Sequence, residues 1–254
     1  MITDKDHLRV NKVEATCPAW KKLPLTDSDL FKFECVLRSW FGQEFGVAMM
    51  KTGNGLKAEY ESEACAIRKA VPRRRSEFLT GRRCAREAMK QIGFLAGPIG
   101  VGSLKEPLWP AGVVGSITHD DNVCFAVVGS ATGCPGIGID FVANYLDFPL
   151  SASSLVFSEK ERGILDLFKV GSEVALSASV AFSAKESTIK ALSPKVRRLI
   201  DFREIKIDLD WKKRRFAAEF VLTQPYCDRR TTARGHFFIQ NHGVLTAILR
   251  SWGI

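Results

Sequence analysis

The stretch Glu173–Leu192 has helical character, with Pro194 just beyond it, and is followed by segments in which apolar and charged residues alternate. Ile205, Ile207 and Leu209 alternate strictly, and Phe216, Ala218, Phe220 and Leu222 less so; Gly235–Gln240 and Val244–Arg250 complete the series. The same order, helix then strands, occurs once before. Arg75, Phe78, Arg82, Ala85, Met89 and Ile92 recur at steps of three and four, which predicts a helix over Glu77–Gly93 with Ser76 near its N-cap. Two apolar runs follow, Val113–Thr118 and Val123–Gly129, joined by a polar turn at His119–Asn122, and a third, Ile137–Phe141, contains Asp140. Ser158 and Glu161 have the spacing of a capping box ahead of a short helix ending near Val170. Short connections between alternating strands favour antiparallel sheets with one face covered by the long helices, an α+β architecture.

One short echo suggests duplication. Leu79-Thr80-Gly81-Arg82 and Ala88-Met89 align without gaps on Phe182-Ser183-Ala184-Lys185 and Ala191-Leu192. A site between two such halves would receive cations, Arg82 and Lys185, from both sides.

Composition narrows the class of partner. A net charge of +9 and a pI near 9.3 favour anions: phosphorylated small molecules, nucleic acid or an acidic protein. The seven cysteines are odd in number and never spaced as C-x-x-C, which favours free thiols in a reducing compartment over disulfides or zinc. The opening MITDKDHLRV lacks the apolar core of a signal peptide. The least polar run, Val123–Ile139, is interrupted by Gly, Ser, Thr and Pro135 and reads as strands rather than a membrane span. A cytoplasmic location is expected.

Several residues then carry chemistry. Arg82 lies within the apolar stripe of its helix, so it is either a structural ion pair with an internal carboxylate or, with Arg73-Arg74-Arg75, a clamp for phosphate oxygens. His119 closes Gly115-Ser116-Ile117-Thr118-His119; a lone histidine is commonly structural, but Ser116, Thr118 and turn amides beside it suit an anion-binding turn. A Ser116–His119–Asp140 hydrolase triad is weak, because the G-x-S-x-G elbow is absent. Asp140 follows Gly136 and Gly138, whose size admits a close approach, and is either a structural aspartate or, with Glu186, a pair of hard oxygen ligands for Mg²⁺. The G-x-x-G-x-G of 133–138 is not a dinucleotide fingerprint, since its spacing is wrong. Glu186 and Lys190, four apart, are a helix-stabilising pair or part of a site, and Phe182 one turn earlier argues against full solvation.

Four stretches in this order, RRRSEFLTGRRCAR (Arg73–Arg86), PLWPAGVVGSITH (Pro107–His119), GIGID (Gly136–Asp140) and FSAKES (Phe182–Ser187), resemble the 4′-phosphopantetheinyl transferase superfamily of the surfactin and enterobactin type. The tail Gly235–Arg250 matches more weakly, and the first seventy residues carry little of the signal. The resemblance implies two pseudo-twofold-related α/β half-domains, here 1–137 and 138–254, each a mainly antiparallel sheet packed on a long helix, with coenzyme A and Mg²⁺ between them. It assigns Arg74 and Arg82, with Arg75 adjacent, to the nucleotide phosphates. Ser116, Thr118 and His119 would line the adenosine-phosphate pocket, His119 on the 3′-phosphate, and Lys105 is a further candidate there. Asp140 and Glu186 would hold Mg²⁺, and Lys185 and Lys190 would neutralise the pyrophosphate.

The implied reaction moves the phosphopantetheine arm of coenzyme A to a carrier-protein serine and releases adenosine 3′,5′-bisphosphate, with Glu186 taking the serine proton directly or through a metal-bound water. The partner would be an acidic acyl or peptidyl carrier domain, with no nucleic acid and no membrane, and two halves in one chain would make a monomer sufficient. Two positions depart from the family: Val142 stands where a second carboxylate is usual, and Asp120 where small or uncharged residues are. Two rival readings follow. Val142 suits a homologue that binds coenzyme A with little or no transfer. A basic nucleic-acid-binding protein is disfavoured, because no recognised binding motif accompanies the arginines.

Overall fold

The structure is a computed structural model and describes residues 25–53, 55–132, 134, 136–165, 171–222 and 229–249. The opening decapeptide, Cys17, Gly133, Pro135, Val170, Cys227 and Arg250, which figured in the sequence reading, lie outside them. In chain order the elements are α1 (Asp27–Phe41), β1 (Gly46–Lys51), α2 (Glu61–Ala66), α3 (Pro72–Gln91), β2 (Gly100–Val101), β3 (Pro107–Leu108), β4 (Val113–Asp120), β5 (Val123–Ser130) and β6 (Ile137–Val142). There follow α4 (Ser153–Val156), α5 (Glu159–Leu165), α6 (Gly171–Val196), β7 (Ile205–Asp210), β8 (Arg215–Leu222), β9 (Arg229–Gln240) and β10 (Gly243–Leu249).

The fold is α+β, as expected from the helix–strand order. One antiparallel sheet has the order β1-β5-β4 and the other β6-β10-β9-β8-β7; β2 and β3 form a small separate ladder. The connections repeat. β1, α3, β4 and β5 give a strand order β1-β5-β4, and β6, α6, β9 and β10 give β6-β10-β9, with β7 and β8 added at the far edge. Glycines mark equivalent places. A Cβ on Gly46 would stand 1.8 Å from the Ala88 carbonyl oxygen, and one on Gly136 would stand 2.2 Å from that of Ala191. Ala88 and Ala191 are the residues the sequence echo aligns.

Three elements in the first seventy residues, α1, β1 and α2, had no counterpart in the sequence reading. α1 opens on a capping box, in which Thr26 accepts from the Asp29 amide and Asp29 accepts from Thr26. Its apolar stripe, with Phe33 and Leu37 fully buried, lies on the face shared by Phe125 and Val127 of β5, Ile139 and Phe141 of β6 and Leu245 of β10. β5 alternates: Cys124, Ala126 and Val128 turn instead to α3, with Ala85 and Met89.

Other boundaries moved for local reasons. α3 begins at Pro72 rather than Glu77, because proline at the first helical position has its φ preset and lacks only a donor the helix end would leave unpaired. Ser76 is therefore inside the helix, donating to the Gly53 carbonyl at 2.6 Å. β4 runs through His119 to Asp120, and the turn shrinks to Asp121 and Asn122, both at positive φ as a two-residue type I′ hairpin requires. Pro194 falls in the last turn of α6, not past it. Among the described residues, no helix is long and apolar enough to cross a membrane.

The two sheets meet along β4 and β6 without a backbone ladder. Register places Ser116 opposite Val127 and Thr118 opposite Phe125, so the even-numbered side chains of β4 share the face turned to β6. Ser116 Oγ accepts from the Ile139 amide (3.1 Å), Thr118 Oγ1 from Phe141 (3.1 Å) and Asp120 Oδ2 from Ala143 (2.8 Å). Three alternate side chains of β4 thus satisfy two alternate amides of β6 and that of Ala143 just past its end.

α6 lies directly on β6. A Cβ on Gly138 would stand 1.7 Å from the Ser187 carbonyl oxygen, so only glycine lets the helix backbone come this close. Gly138→Ala is expected to cost at least the ~3 kcal/mol at the upper end of overpacking in a core. Urea unfolding followed by circular dichroism measures it.

Candidate active site

β4, α3, β6 and α6 bring their functional side chains to one cleft of about 450 Å³, lined among others by Arg73, His119, Asp140, Val142, Phe182 and Glu186. The period of two along β4 divides its end. Thr118 faces β6, and His119, opposite Cys124, faces α3.

At the β6–α6 end, Asp140 Oδ1 accepts from Lys190 Nζ at 2.7 Å and from Thr118 Oγ1 at 3.2 Å. Lys190 also donates to the Ile139 carbonyl at 3.2 Å. Both bonds to the carboxylate fall on Oδ1, so Oδ2 is the oxygen left for a ligand. Glu186, one helical turn before Lys190, is half-buried, and burial with the neighbouring Asp140 charge raises its carboxyl above the usual range against the pull of Lys190. Two neighbouring carboxylates on the wall of a cleft that Asp120, Asp121 and Asp147 also line form a place for a cation.

At the β4–α3 end, Arg74 Nη1 stands 2.7 Å from His119 Nε2. Guanidinium only donates, so Nε2 accepts and the ring proton is on Nδ1. That Nδ1–H faces Glu77 Oε2 at 3.7 Å, too far for a hydrogen bond. Burial first, then Arg74 and Lys190, lower the His119 pKa, and Glu77 and Asp120 oppose them. Arg74 and Lys190 thus stand beside the cleft wall, each bonded to a residue that lines it. Val142 contributes only an apolar surface.

Other expected site residues are committed elsewhere. Ser116 and Thr118 hold the seam between the sheets, and Thr118 touches the cleft only through Asp140. Lys185 has no exposed surface; Nζ donates to the Val156 carbonyl (2.9 Å), the Phe202 carbonyl (3.0 Å) and Glu161 Oε2 (2.9 Å). Three acceptors use all three ammonium protons, and burial lowers its pKa against the bond to Glu161. The structure does not bring Lys185 into the cleft. Arg82 is 6% exposed, stacked 4.3 Å over the Phe78 ring, and donates to the carbonyls of Ile99 (3.1 Å) and Gly100 (3.3 Å). Burial lowers its pKa to about 10, against the attraction of Glu63. These are carbonyl bonds rather than the ion pair weighed from sequence. Arg75 is exposed on α3, and Lys105 is exposed at positive φ in the β2–β3 turn.

Sequence reasoning missed three carboxylates. Glu161, read only as a cap, also holds Lys185 and accepts from the Ile207 amide. Asp120, read as a departure, closes the seam. Glu77 binds Arg73 at 2.9 Å and Arg74 at 3.5 Å, spacings of four and three that signal helix pairs once α3 is known to begin at Pro72.

The residues present fit Mg²⁺ as a partial shell. Asp140 and Glu186 both line the cleft and supply hard oxygen, and the ion commonly completes its octahedron with water and substrate phosphate. Among the described residues, no group of three His, Cys, Asp or Glu forms a complete protein cage.

Two family models match the chain: the 4′-phosphopantetheinyl transferase N-terminal domain over residues 61–129 and the 4′-phosphopantetheinyl transferase superfamily over 136–246. The 4′-phosphopantetheinyl transferase PptT of Mycobacterium tuberculosis is 33% identical over 196 residues, covering 74% of this chain and 84% of that protein. Svp of Streptomyces mobaraensis, of the same description, is 34% identical over 166 residues (65% and 67%). Enterobactin synthase component D of Salmonella typhi is 36% identical over 130 residues (51% and 53%).

The raised Glu186 carboxyl carries a stability consequence. Both folded and unfolded chains hold its proton at low pH; as pH rises past the ordinary carboxylate range, the folded state alone resists ionisation, so the native fold loses stability until pH exceeds the raised value. Glu186→Gln is therefore expected to raise the urea midpoint at about pH 8, with the gain shrinking toward about pH 4. A gain that stayed constant with pH would refute the assignment.

Proposed function

This chain belongs to the 4′-phosphopantetheinyl transferase superfamily and is a transferase, and on that premise we propose that it moves the phosphopantetheine arm of coenzyme A onto a serine of an apo carrier protein, releasing adenosine 3′,5′-bisphosphate. The observation that carries the reading is the single cleft with Glu186 and the Asp140–Lys190 pair at one end and Arg74 and His119 at the other. Its separated ends suit a ligand with two phosphate groups, the pyrophosphate and the 3′-phosphate.

Arg74 and His119 bind the 3′-phosphate end, the arginine through its planar fork. Asp140 and Glu186 hold Mg²⁺, which when bound neutralises charge on the pyrophosphate oxygens. Lys190, fixed on Asp140, adds a positive charge beside them. Serine hydroxyl is a poor nucleophile at neutral pH, and Glu186 takes its proton as the oxygen attacks phosphorus. Arg82 and Lys185 act as buried struts, the first holding the segment before the Lys105 turn and the second tying α6 to α5.

The division into halves, 1–137 and 138–254, is part of the same proposal, supported by the recurring strand order and by family matches that change over between residues 129 and 136, close to that boundary. The net charge of +9 suits an acidic carrier domain. A second reading rests on Val142. With an apolar side chain where a carboxylate is usual, the chain would bind coenzyme A and transfer its arm slowly or not at all.

Incubation with coenzyme A, Mg²⁺ and a panel of apo acyl and peptidyl carriers, read by intact mass, tests both. The first reading expects phosphopantetheine on a carrier, and Glu186→Gln slowing transfer by about 10²–10⁴-fold. Coenzyme A binding without modification of any carrier supports the second.

A further inference from the structure

The group left unused by this account is Glu77. It stands on α3 one turn past the arginine triplet, with Oε1 bonded to Arg73 Nε at 2.9 Å. Oε2 faces both Arg74 Nη1 (3.5 Å) and His119 Nδ1 (3.7 Å). The carboxylate is only 15% exposed, so its hold on these groups is less screened than that of a surface pair. Arg74 meanwhile donates to Nε2, the ring nitrogen on the opposite side from Glu77.

In this arrangement the phosphate-binding groups of one end are occupied with one another. A donor-only guanidinium caps the acceptor nitrogen of His119, and the ring is neutral. A phosphate oxygen competes for Arg74 on better terms, since a charge-assisted bond to an anion is stronger than one to a neutral imidazole. Once Arg74 turns to the phosphate, Nε2 is uncovered next to an anion, while Nδ1–H still faces the Glu77 carboxylate.

Resting on the reading of this end of the cleft as a nucleotide-phosphate site, we infer that Glu77 is a positioning residue for Arg74 and His119, and that the ligand phosphate binds together with one proton from solvent, taken up on His119 Nε2. The Arg74–Nε2 hydrogen bond breaks, Arg74 and the new Nε2–H both donate to phosphate oxygens, and Glu77 is the fixed counter-charge of the imidazolium. The charged groups facing His119 fit this exchange: Arg74 on α3 and Lys190 on α6 disfavour its charge in the free protein, Glu77 on α3 and Asp120 on its own strand favour it, and the incoming phosphate reverses the balance. The direction is diagnostic, because phosphate groups meeting cations would themselves lose protons, not gain them.

The test follows the His119 ring by NMR against pH in the full chain, with and without adenosine 3′,5′-bisphosphate, assigning its resonances with His119→Gln. The ring pKa is expected to rise by about one pH unit or more in the complex. Glu77→Gln is expected to bind the bisphosphate about tenfold more weakly and to give a lower ring pKa in the complex, and Glu77→Asp to restore much of both. Unchanged affinity and ring pKa in Glu77→Gln, or a wild-type complex with no rise in ring pKa, overturns this inference while leaving the cleft reading intact. A wild-type chain that does not bind the bisphosphate overturns both. If Glu77→Gln does not fold, the wild-type titration decides.

Discussion

The seam between β4 and β6 is the contact on which the rest of the molecule depends. Two sheets that met through apolar contact alone would leave the Ile139, Phe141 and Ala143 amides buried without partners, each costing roughly 1–3 kcal/mol. Ser116, Thr118 and Asp120 accept from all three. Side-chain acceptors do what a neighbouring strand would do, but with a reach that allows the sheets to approach edge to face. Because Thr118 serves the Phe141 amide and Asp140 with one hydroxyl, the joint and the cleft are built from the same atoms. The register that joins the sheets also sends His119 toward α3 and Asp140 toward α6.

Much of this was legible in the chain. The helix-then-strands order gave the α+β class, and Gly136 and Gly138 ahead of Asp140 foretold a close approach, which proved to be the backbone of α6. Glu186 and Lys190, at a spacing of four, do stand together beside Asp140 at the cleft. What was illegible depended on partners distant in sequence. Lys185 sits next to Glu186, yet consecutive helix positions point about 100° apart, and only the fold reveals that its side is filled by Glu161 and two carbonyls. Ser116 and Thr118 looked like ligand donors because an acceptor of a backbone amide in another sheet has the same appearance in sequence. α1 and β1 went unread, since nothing in their composition reveals that one helix will cover both sheets.

The site and the fold make opposite demands on the same residues. Glu186 and Asp140 are gathered on one wall, where burial and then the Asp140 carboxylate oppose the charge of Glu186, and Lys190 offsets this only in part. The buried cations show the reverse allocation. Arg82 and Lys185 are placed where carbonyl oxygens and aromatic faces surround them, and they fix the segments flanking the cleft.

α1 has a bearing on how the chain is made. Phe33 packs edge-on against Phe125, Phe141 and Phe238, and Asp29 accepts from Gln240 at 3.3 Å, across most of the length of the polypeptide. A ribosome delivering this chain from its N-terminus exposes the apolar stripe of α1 first and the strands that finish covering it last. For most of synthesis that stripe lacks part of its native cover, and apolar surface exposed in this way is open to aggregation until the last strands are made.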